Sequence, residues 1–265
     1  MDEGHKKERG LKSAYQEINM HGVILAGGLG TRLQPLTLIT NKHLLPVYDK
    51  PMILYSLQTL RNSGVTDIMV VCGREHAGHF MNFLGSGKEY GVKLSFALQD
   101  KNDGGIADAL SYAEYFAEGD NVAVILGDNF YTKSFQKEIK SFKGGAMVFL
   151  KKVKDPHNFG VPVFNSHEKI IRIEEKPKKP KSKYAVTGFY LYSNDVFQKI
   201  KKLKPSKRQE LEITDLNNLY LKENRLFYET INGQWVDTGS SFDSLLKASN
   251  WIAKNLKKWE NSSSI

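Results

Sequence analysis

The chain has 265 residues, of which 40% are hydrophobic and 25% charged, proportions that are ordinary for a globular protein. It contains no apolar run near the ~20 residues of a membrane span, and its single cysteine excludes an internal disulfide. The net charge of +9 raises the question of nucleic-acid binding, but the lysine-rich stretches at 176–183 and 199–208 lack interleaved stacking aromatics. We therefore expect a cytoplasmic protein without membrane or nucleic-acid partners, whose positive charge attracts phosphorylated small molecules.

Strand and helix patterns alternate through the first half of the chain. Residues 1–19 show no strong pattern and are expected to be a disordered N-terminal extension. After an apolar strand that ends at Ala26, the predicted elements are helix 52–62, strand 67–72, helix 75–84, strand 92–98, helix 106–116 and strand 121–126. This alternation predicts a doubly wound core, with a mostly parallel sheet covered on both faces.

The pattern changes after about residue 146, where strands follow one another through turns. The predicted elements there are strands 146–153, 159–165, 169–174 and 184–192, helices 195–202 and 213–223, strand 226–231, a Trp235 segment and helix 242–255. We interpret 20–255 as one continuous α/β domain with a β-rich subregion, followed by a tail at 256–265.

A glycine-rich turn follows the first strand, with the sequence Gly27-Gly28-Leu29-Gly30-Thr31-Arg32. Such a turn lets backbone N–H groups approach an anion and lets a flat base lie against the main chain. It is not a Walker A loop, because Thr31-Arg32 stands where Lys-Ser/Thr is needed, nor a Rossmann fingerprint, because Leu33 replaces the third glycine. Together with the positive charges of Arg32 and Lys42, the turn predicts a site for a nucleoside triphosphate.

Acidic residues follow apolar segments at two further places. Asp128 ends the strand 121–126 through Gly127, and Asp237 follows Trp235-Val236. Carboxylates at strand ends suit Mg²⁺, although each aspartate also fits a simple turn or helix cap. The pair Glu175-Lys176 ends another predicted strand and suits sugar hydroxyls and a phosphate, or else a solvated charge pair.

Three motifs in order resemble the sugar-1-phosphate nucleotidylyltransferases, namely Gly-Gly-Leu-Gly-Thr-Arg-Leu at 27–33, Lys-His-Leu-Leu-Pro-Val at 42–47 and Asp-Lys-Pro-Met at 49–52. The resemblance extends over about 20–255. It implies a fold of the nucleotide-diphospho-sugar transferase type, which is Rossmann-like and doubly wound, with a mixed, mostly parallel sheet and a sugar-binding β-rich subregion. It also implies a homo-oligomer, a tetramer, that transfers a thymidylyl group from dTTP to α-D-glucose 1-phosphate with Mg²⁺.

The resemblance assigns roles residue by residue. The implied catalytic residues are Arg32, Lys42 and Lys176. The implied nucleotide-binding residues are Gly27, Gly28, Gly30, Thr31, Arg32, Gln99, Gly104, Gly105 and Asp128. The implied sugar-phosphate-binding residues are Gly160, Glu175, Lys176, Val186, Gly188 and Arg208. The implied Mg²⁺ ligands are Asp128 and Asp237.

Nucleotide choice is left open by the sequence. The amide of Gln99 could bond bidentately to the imide edge of a pyrimidine, which thymine and uracil share. Asp108 stands where glutamine is common in the family, which blurs the choice further. A uridylyltransferase acting on glucose 1-phosphate is therefore one alternative, and a catalytically silent sugar-nucleotide sensor is another.

Overall fold

The computed structural model describes residues 20–101 and 103–263, with side chains described as far as 255. The predicted extension at 1–19 lies outside the described residues, as do the side chains of the predicted tail. In chain order, the strands are β1 Met20–Ala26, β2 Pro46–Val47, β3 Lys50–Pro51, β4 Asp67–Gly73, β5 Lys93–Gln99, β6 Asn121–Leu126, β7 Asn129–Tyr131, β8 Ala146–Lys152, β9 Gly160–Phe164, β10 Ile170–Glu175, β11 Tyr184–Tyr192, β12 Leu226–Thr230 and β13 Trp235–Asp237.

The α-helices alternate with the strands in the first half of the chain and return near its end. They are α1 Met52–Asn62, α2 Ala77–Leu84, α3 Ile106–Ser111, α4 Glu114–Ala117, α5 Gln136–Ser141, α6 Val196–Ile200, α7 Ile213–Lys222 and α8 Phe242–Ser263. No helix within residues 20–101 or 103–263 combines the length and the apolar composition needed to cross a lipid bilayer.

One seven-stranded sheet forms the centre of the molecule, in the order β12-β8-β11-β6-β1-β4-β5. Strands β6, β1, β4 and β5 run parallel, and β12 runs parallel to β8. Only β11 opposes its neighbours, pairing antiparallel with both β6 and β8. The predicted mixed, mostly parallel sheet is confirmed, and its parallel strands direct their carboxyl ends to one edge, where ligands bind in folds of this kind.

Both faces of the sheet are covered, as the alternation of side chains along β1 shows. Val23 packs in an apolar cluster with Leu110 of α3, whereas Ile24 packs in the opposite cluster with Ile53 of α1. All four side chains are fully buried. Burial on both faces explains why β1 and β6 are nearly continuous apolar runs rather than alternating ones.

The β-rich subregion lies beside the central sheet. Strands β9 and β10 form an antiparallel pair that packs against β11, and β7 pairs antiparallel with β13. The predicted strand at 226–231 and the Trp235 segment correspond to β12 and β13.

Several elements differ from the sequence predictions. The helix predicted at 106–116 is two short helices, because the buried Ala113 has φ −91° and ψ 0°, which breaks the helical ladder between α3 and α4. The final helix continues beyond 255 to Ser263. Strands β2, β3 and β7 and helix α5 were not predicted, since each has only two to six residues.

Candidate active site

Two adjoining clefts open at the carboxyl ends of β1, β5 and β6. We call the first the glycine cleft; its walls include Gly27, Gly28, Lys42, His43, Gln99, Gly105 and Asp128. We call the second the charged cleft; its walls include Arg32, Asn158, Gly160, Glu175, Lys176, Val186, Gly188, Arg208, Glu212, Thr214, Trp235 and Asp237. Ile106, Leu126 and Glu210 line both clefts, so the two clefts share a wall.

The clefts bring most of the predicted site residues together. Among the described residues, the exceptions are Gly30, Thr31 and Gly104, which belong to neither lining. Thr31 lines a neighbouring hollow with Thr37. Arg32 lines the charged cleft rather than the glycine cleft, so this predicted nucleotide-binding residue lies with the predicted sugar-phosphate residues.

The absence of side chains at Gly28 and Gly30 leaves space for the Lys42 side chain to pack on the glycine turn. Gly30 has φ +67°, a left-handed conformation that favours glycine, and a Cβ there would lie 2.9 Å from Lys42 Cβ. A Cβ on Gly28 would lie 3.4 Å from Lys42 Cε. The lysine stem therefore packs on the turn, and its ammonium reaches the aspartate at the end of β6.

The Lys42 ammonium pairs with Asp128 at the floor of the glycine cleft. Lys42 Nζ donates to Asp128 Oδ2 at 2.5 Å, and the Asp128 side chain is buried while that of Lys42 is mostly buried. Burial alone would raise the pKa of Asp128, but the charge and hydrogen bond of Lys42 override it and hold this pKa well below its usual range. Burial would likewise lower the pKa of Lys42, and the Asp128 charge raises it instead. The pair is therefore charged on both sides.

His43 lies beside this pair but carries no charge. Its Nδ1 lies 2.6 Å from Asn41 Oδ1, which can only accept, so Nδ1 carries the proton. Burial, followed by the charge of Lys42, lowers the pKa of His43 to about 3. The imidazole is thus neutral at physiological pH, and Lys42 is the cation that this segment supplies.

The pairing of β13 with β7 brings Asp237, the second predicted aspartate, close to Asp128. In the antiparallel pair of β7 and β13, Asp237 lies opposite Asn129, and the Thr238 hydroxyl donates to the Asp128 carbonyl at 2.6 Å. Burial raises the pKa of Asp237, and the neighbouring Asp128 charge raises it further. Across the described parts of the chain, no cluster of three or more His, Cys, Asp or Glu side chains could hold a metal ion.

Asn129 connects this acidic pair to the charged cleft, a role that the sequence reasoning missed. Its Nδ2 donates to Asp128 Oδ1 at 2.9 Å. Its Oδ1 accepts from Trp235 Nε1 at 2.6 Å, from Gly188 N–H at 3.1 Å and from Tyr131 Oη at 3.3 Å. A Cβ on Gly188 would lie 2.6 Å from Asn129 Oδ1, so the missing side chain at Gly188 makes room for Asn129.

Glu175 and Lys176 are held side by side at the end of β10. Glu175 Oε2 accepts from Thr214 Oγ1 at 2.5 Å, and its Oε1 lies 3.7 Å from Lys176 Nζ. Lys176 has φ +42°, which is uncommon for a residue with a side chain, and its N–H donates to the Phe159 carbonyl at 3.0 Å. The backbone therefore fixes where Lys176 projects into the charged cleft.

Arg208 also lines the charged cleft but is already paired. Its guanidinium donates to both carboxylate oxygens of Glu212, at 2.8 and 2.9 Å, and lies within 3.4 Å of Glu175 and Glu210. A sugar phosphate would have to share Arg208 with these carboxylates. Because α7 begins only at Ile213, the four-residue spacing of Arg208 and Glu212 does not place them on one helix face, and the sequence carried no signal for this pair.

Gln99, the predicted base-reading residue, is buried at the end of β5. Its Nε2 donates to Asp108 Oδ2 at 2.8 Å, a partner that the sequence reasoning did not assign. A Cβ on Gly27 would overlap Gln99 Oε1, and a Cβ on Gly104 would overlap the Asp108 carboxylate. Gly104 thus packs behind Asp108, whereas Gly105 faces the glycine cleft.

Comparison with known proteins shows which family the chain resembles. Residues 21–255 match the nucleotidyl transferase family. A glucose-1-phosphate thymidylyltransferase of Neisseria meningitidis is 45% identical over 239 residues, covering 88% of this chain and 82% of that protein. The enzyme of the same name from Mycobacterium tuberculosis is 44% identical over 238 residues, with the same two coverages.

Two solved structures have the same fold. The chain resembles a Bacillus anthracis protein, provisionally assigned as a glucose-1-phosphate thymidylyltransferase and crystallised with sucrose, with a TM-score of 0.83 and 50% identity. That match covers 88% of this chain and 95% of the other. A UDP-glucose pyrophosphorylase with bound UDP-glucose gives a TM-score of 0.79 at 25% identity, covering 90% and 99%.

Proposed function

Because this chain belongs to the nucleotidyl transferase family, we propose that it transfers the thymidylyl group of dTTP to α-D-glucose 1-phosphate, giving dTDP-glucose and pyrophosphate. The observation that carries the proposal is the pair of adjoining clefts, which share Ile106, Leu126 and Glu210. The glycine cleft offers glycine backbone and the Gln99 amide, which suit a base. The charged cleft offers the Glu175 carboxylate and the Lys176 ammonium, which suit a sugar phosphate. The relatives named above act on glucose 1-phosphate and thymidine nucleotide according to their names.

In this proposal the nucleotide occupies the glycine cleft. The thymine ring lies against the Gly27-Gly28 backbone, and the Gln99 amide bonds to its imide edge. The sugar phosphate occupies the charged cleft, where Glu175 accepts hydrogen bonds from sugar hydroxyls and Lys176 holds the phosphate. The small wall at Gly160 leaves room for a pyranose ring.

The chemistry requires positioning and charge neutralisation. An oxygen of the sugar phosphate attacks the α-phosphorus in line, and the bond from that phosphorus to the pyrophosphate oxygen breaks. Since a phosphate oxygen is already ionised at neutral pH, no general base is needed. Lys42 neutralises charge on the α-phosphate, Arg32 neutralises charge on the leaving pyrophosphate, and Lys176 aims the nucleophile.

The donor set at Asp128 and Asp237 fits Mg²⁺, which is commonly held by one or two carboxylates, substrate phosphates and water. The repulsion between the Asp128 and Asp237 carboxylates contributes to the raised pKa of Asp237, so a divalent cation would relieve it. When bound, Mg²⁺ supplies a Lewis acid that neutralises phosphate charge.

A uridylyltransferase is the second candidate, favoured by the likeness to a UDP-glucose pyrophosphorylase. The test is pyrophosphate release with Mg²⁺ and glucose 1-phosphate, comparing dTTP, dUTP and UTP with CTP, ATP and GTP. Preference for dTTP supports the proposal, and comparison with dUTP separates the 5-methyl group from the ribose hydroxyl. Preference for UTP supports the second candidate, and nucleotide binding without any release would favour the sensor.

A matched pair of variants tests the sugar-phosphate site in the same assay. Lys176→Ala should raise the KM for glucose 1-phosphate strongly, because it removes the charge that holds the phosphate. Lys178→Ala removes the same charge from an exposed position two residues away and should leave the kinetics unchanged. Equal effects of the two variants would overturn the assignment of Lys176.

Two further expectations stay predictions. A homotetramer is expected from the family resemblance, and light scattering on the purified protein measures it. Residence in the cytoplasm is expected from the composition, and fractionation of the source cells tests it.

A further inference from the structure

The Gln99 amide is fixed in one orientation by a carboxylate. Asp108 Oδ2, on the first turn of α3, accepts a hydrogen bond from Gln99 Nε2 at 2.8 Å, and Gln99 is only 3% exposed. A carboxylate accepts hydrogen bonds and donates none. The reversed amide would set Gln99 Oε1 against Asp108 Oδ2, so the amide cannot flip without losing this bond.

The fixed orientation turns the Gln99 oxygen towards the glycine turn. A Cβ on Gly27 would overlap Oε1, so this acceptor lies directly against the backbone on which the base is proposed to rest. Gly104 leaves the space that the Asp108 carboxylate fills. Two of the glycines that the sequence singled out therefore accommodate the Gln99–Asp108 pair.

From this geometry we infer that Asp108 is a specificity residue, which selects bases with an N3–H donor by making Gln99 present its oxygen to the base. The inference rests on the proposed placement of the nucleotide in the glycine cleft. Thymine and uracil carry a hydrogen on N3 and can donate to Gln99 Oε1. Cytosine carries a lone pair on N3 and would set acceptor against acceptor, so the fixed amide rejects it.

A purely structural role for Asp108 predicts something different. An acid in the first turn of a helix interacts favourably with the helix dipole, and its loss would weaken α3 and all nucleotide binding equally. Selection through Gln99 instead predicts that loss of the Asp108 carboxylate weakens the binding of thymidine nucleotides and strengthens that of cytidine nucleotides. The ratio between them therefore separates the two roles.

The test compares dTTP with dCTP in wild type, Asp108→Asn and Asp108→Glu, using pyrophosphate release and calorimetric nucleotide binding. Asparagine can accept or donate, so Asp108→Asn lets the Gln99 amide flip. We expect the dTTP-to-dCTP ratio of kcat/KM to fall about 10- to 100-fold, the range for losing a hydrogen bond to a charged group. The change should appear mainly in KM, since the base contact is present before and during the reaction. Asp108→Glu keeps an acceptor-only group and should keep most of the ratio.

Asp100→Asn is the matched control. It removes the same charge one residue from Gln99, at an exposed carboxylate that pairs with Arg74, and should leave the ratio unchanged. An unchanged ratio in Asp108→Asn, or an equal loss for both nucleotides, would overturn the inference. Wild type that binds dTTP without releasing pyrophosphate would overturn the proposed function, and the ratio of binding constants would then decide the role of Asp108. Failure of wild type to bind either nucleotide would overturn both.

Discussion

The Asn129 carboxamide holds Asp128 in place, and a change of charge with almost no change of shape tests this role. In Asn129→Asp, one oxygen still accepts from Trp235 Nε1 and Gly188 N–H. The second oxygen replaces Nδ2, which lies 2.9 Å from Asp128 Oδ1. A buried hydrogen bond to a carboxylate thus becomes a contact between two acceptors.

The magnitude follows from that single lost bond. A hydrogen bond to a charged group contributes about 1.5–3 kcal/mol, and 1 kcal/mol shifts the melting temperature of a domain of about this size by about 2–4 °C. We therefore expect Asn129→Asp to melt about 3–12 °C below wild type near pH 8. Turnover should fall at least about tenfold, because Asp128 loses the donor that fixes its carboxylate.

The pH dependence of this loss has a definite sign. Burial and the Asp128 charge raise the pKa of the introduced carboxyl above that of an unfolded aspartate. Its protonated form, whose O–H donates to Asp128, is therefore favoured in the folded protein. The stabilising bond is present at low pH and is lost as the pH rises through the folded-state pKa, so the deficit relative to wild type shrinks as the pH falls from about 8 towards about 5.

Thermal melting across this pH range and pyrophosphate release at saturating substrates measure both effects. Asn165→Asp is the matched control, because Asn165 is exposed and its Oδ1 accepts from the N–H groups of His167 and Lys169, which an aspartate would preserve. Asn129→Asp with wild-type melting and turnover near pH 8, or with a deficit that does not change with pH, would refute the role given to Nδ2.

Other substitutions and metal removal test the remaining parts of the site. Arg32 is exposed, so Arg32→Ala should keep the melting temperature and lose at least about a hundredfold in kcat/KM; a loss under about threefold would exclude Arg32 from neutralising transition-state charge. Glu175→Gln should raise the KM for glucose 1-phosphate about tenfold and leave that for dTTP unchanged, whereas equal changes would point to a general disturbance of the cleft. Chelation with EDTA should abolish pyrophosphate release and added Mg²⁺ should restore it, with Asp237→Asn requiring more Mg²⁺ than wild type; full activity in EDTA would contradict the metal assignment.

The sequence predicted the elements that local patterns specify. Helix α1 begins and ends where predicted, and β11 matches the predicted 184–192 strand, because long apolar patterns with clear turn residues at their ends leave little choice. Short elements such as β7 could not be predicted, since three residues carry no period. Strand β7 exists because it pairs with β13, about a hundred positions later in the chain.

The residues of the candidate site likewise include some that the sequence could predict and others that it could not. Asp128 was identifiable because a polar side chain that follows an apolar run lies at the sheet edge, and Gln99 was identifiable through the family resemblance. The hydrogen-bond partners of the site residues were not identifiable from the sequence. Asp108 bonds to Gln99, and Asn129 bonds to Trp235, only because tertiary folding brings them together. The sequence thus identified side chains that face the clefts, but not the side chains that hydrogen-bond to them and fix their positions.

The glycines beside the acidic residues show why holding groups matter for this chemistry. A Cβ on Gly239 would overlap the Asp128 carboxylate, and a Cβ on Gly127 would lie 2.8 Å from His43 Cδ2. Gly239 is thus required by close packing against Asp128, and Gly127 by close packing against His43, rather than by a direct part in the reaction. Because the attacking phosphate oxygen needs no activation, the protein contributes rate mainly by fixing charges in place. In Gly239→Ala, the added methyl group would displace Asp128 by a fraction of an ångström. This substitution should therefore reduce turnover while the fold and both clefts persist.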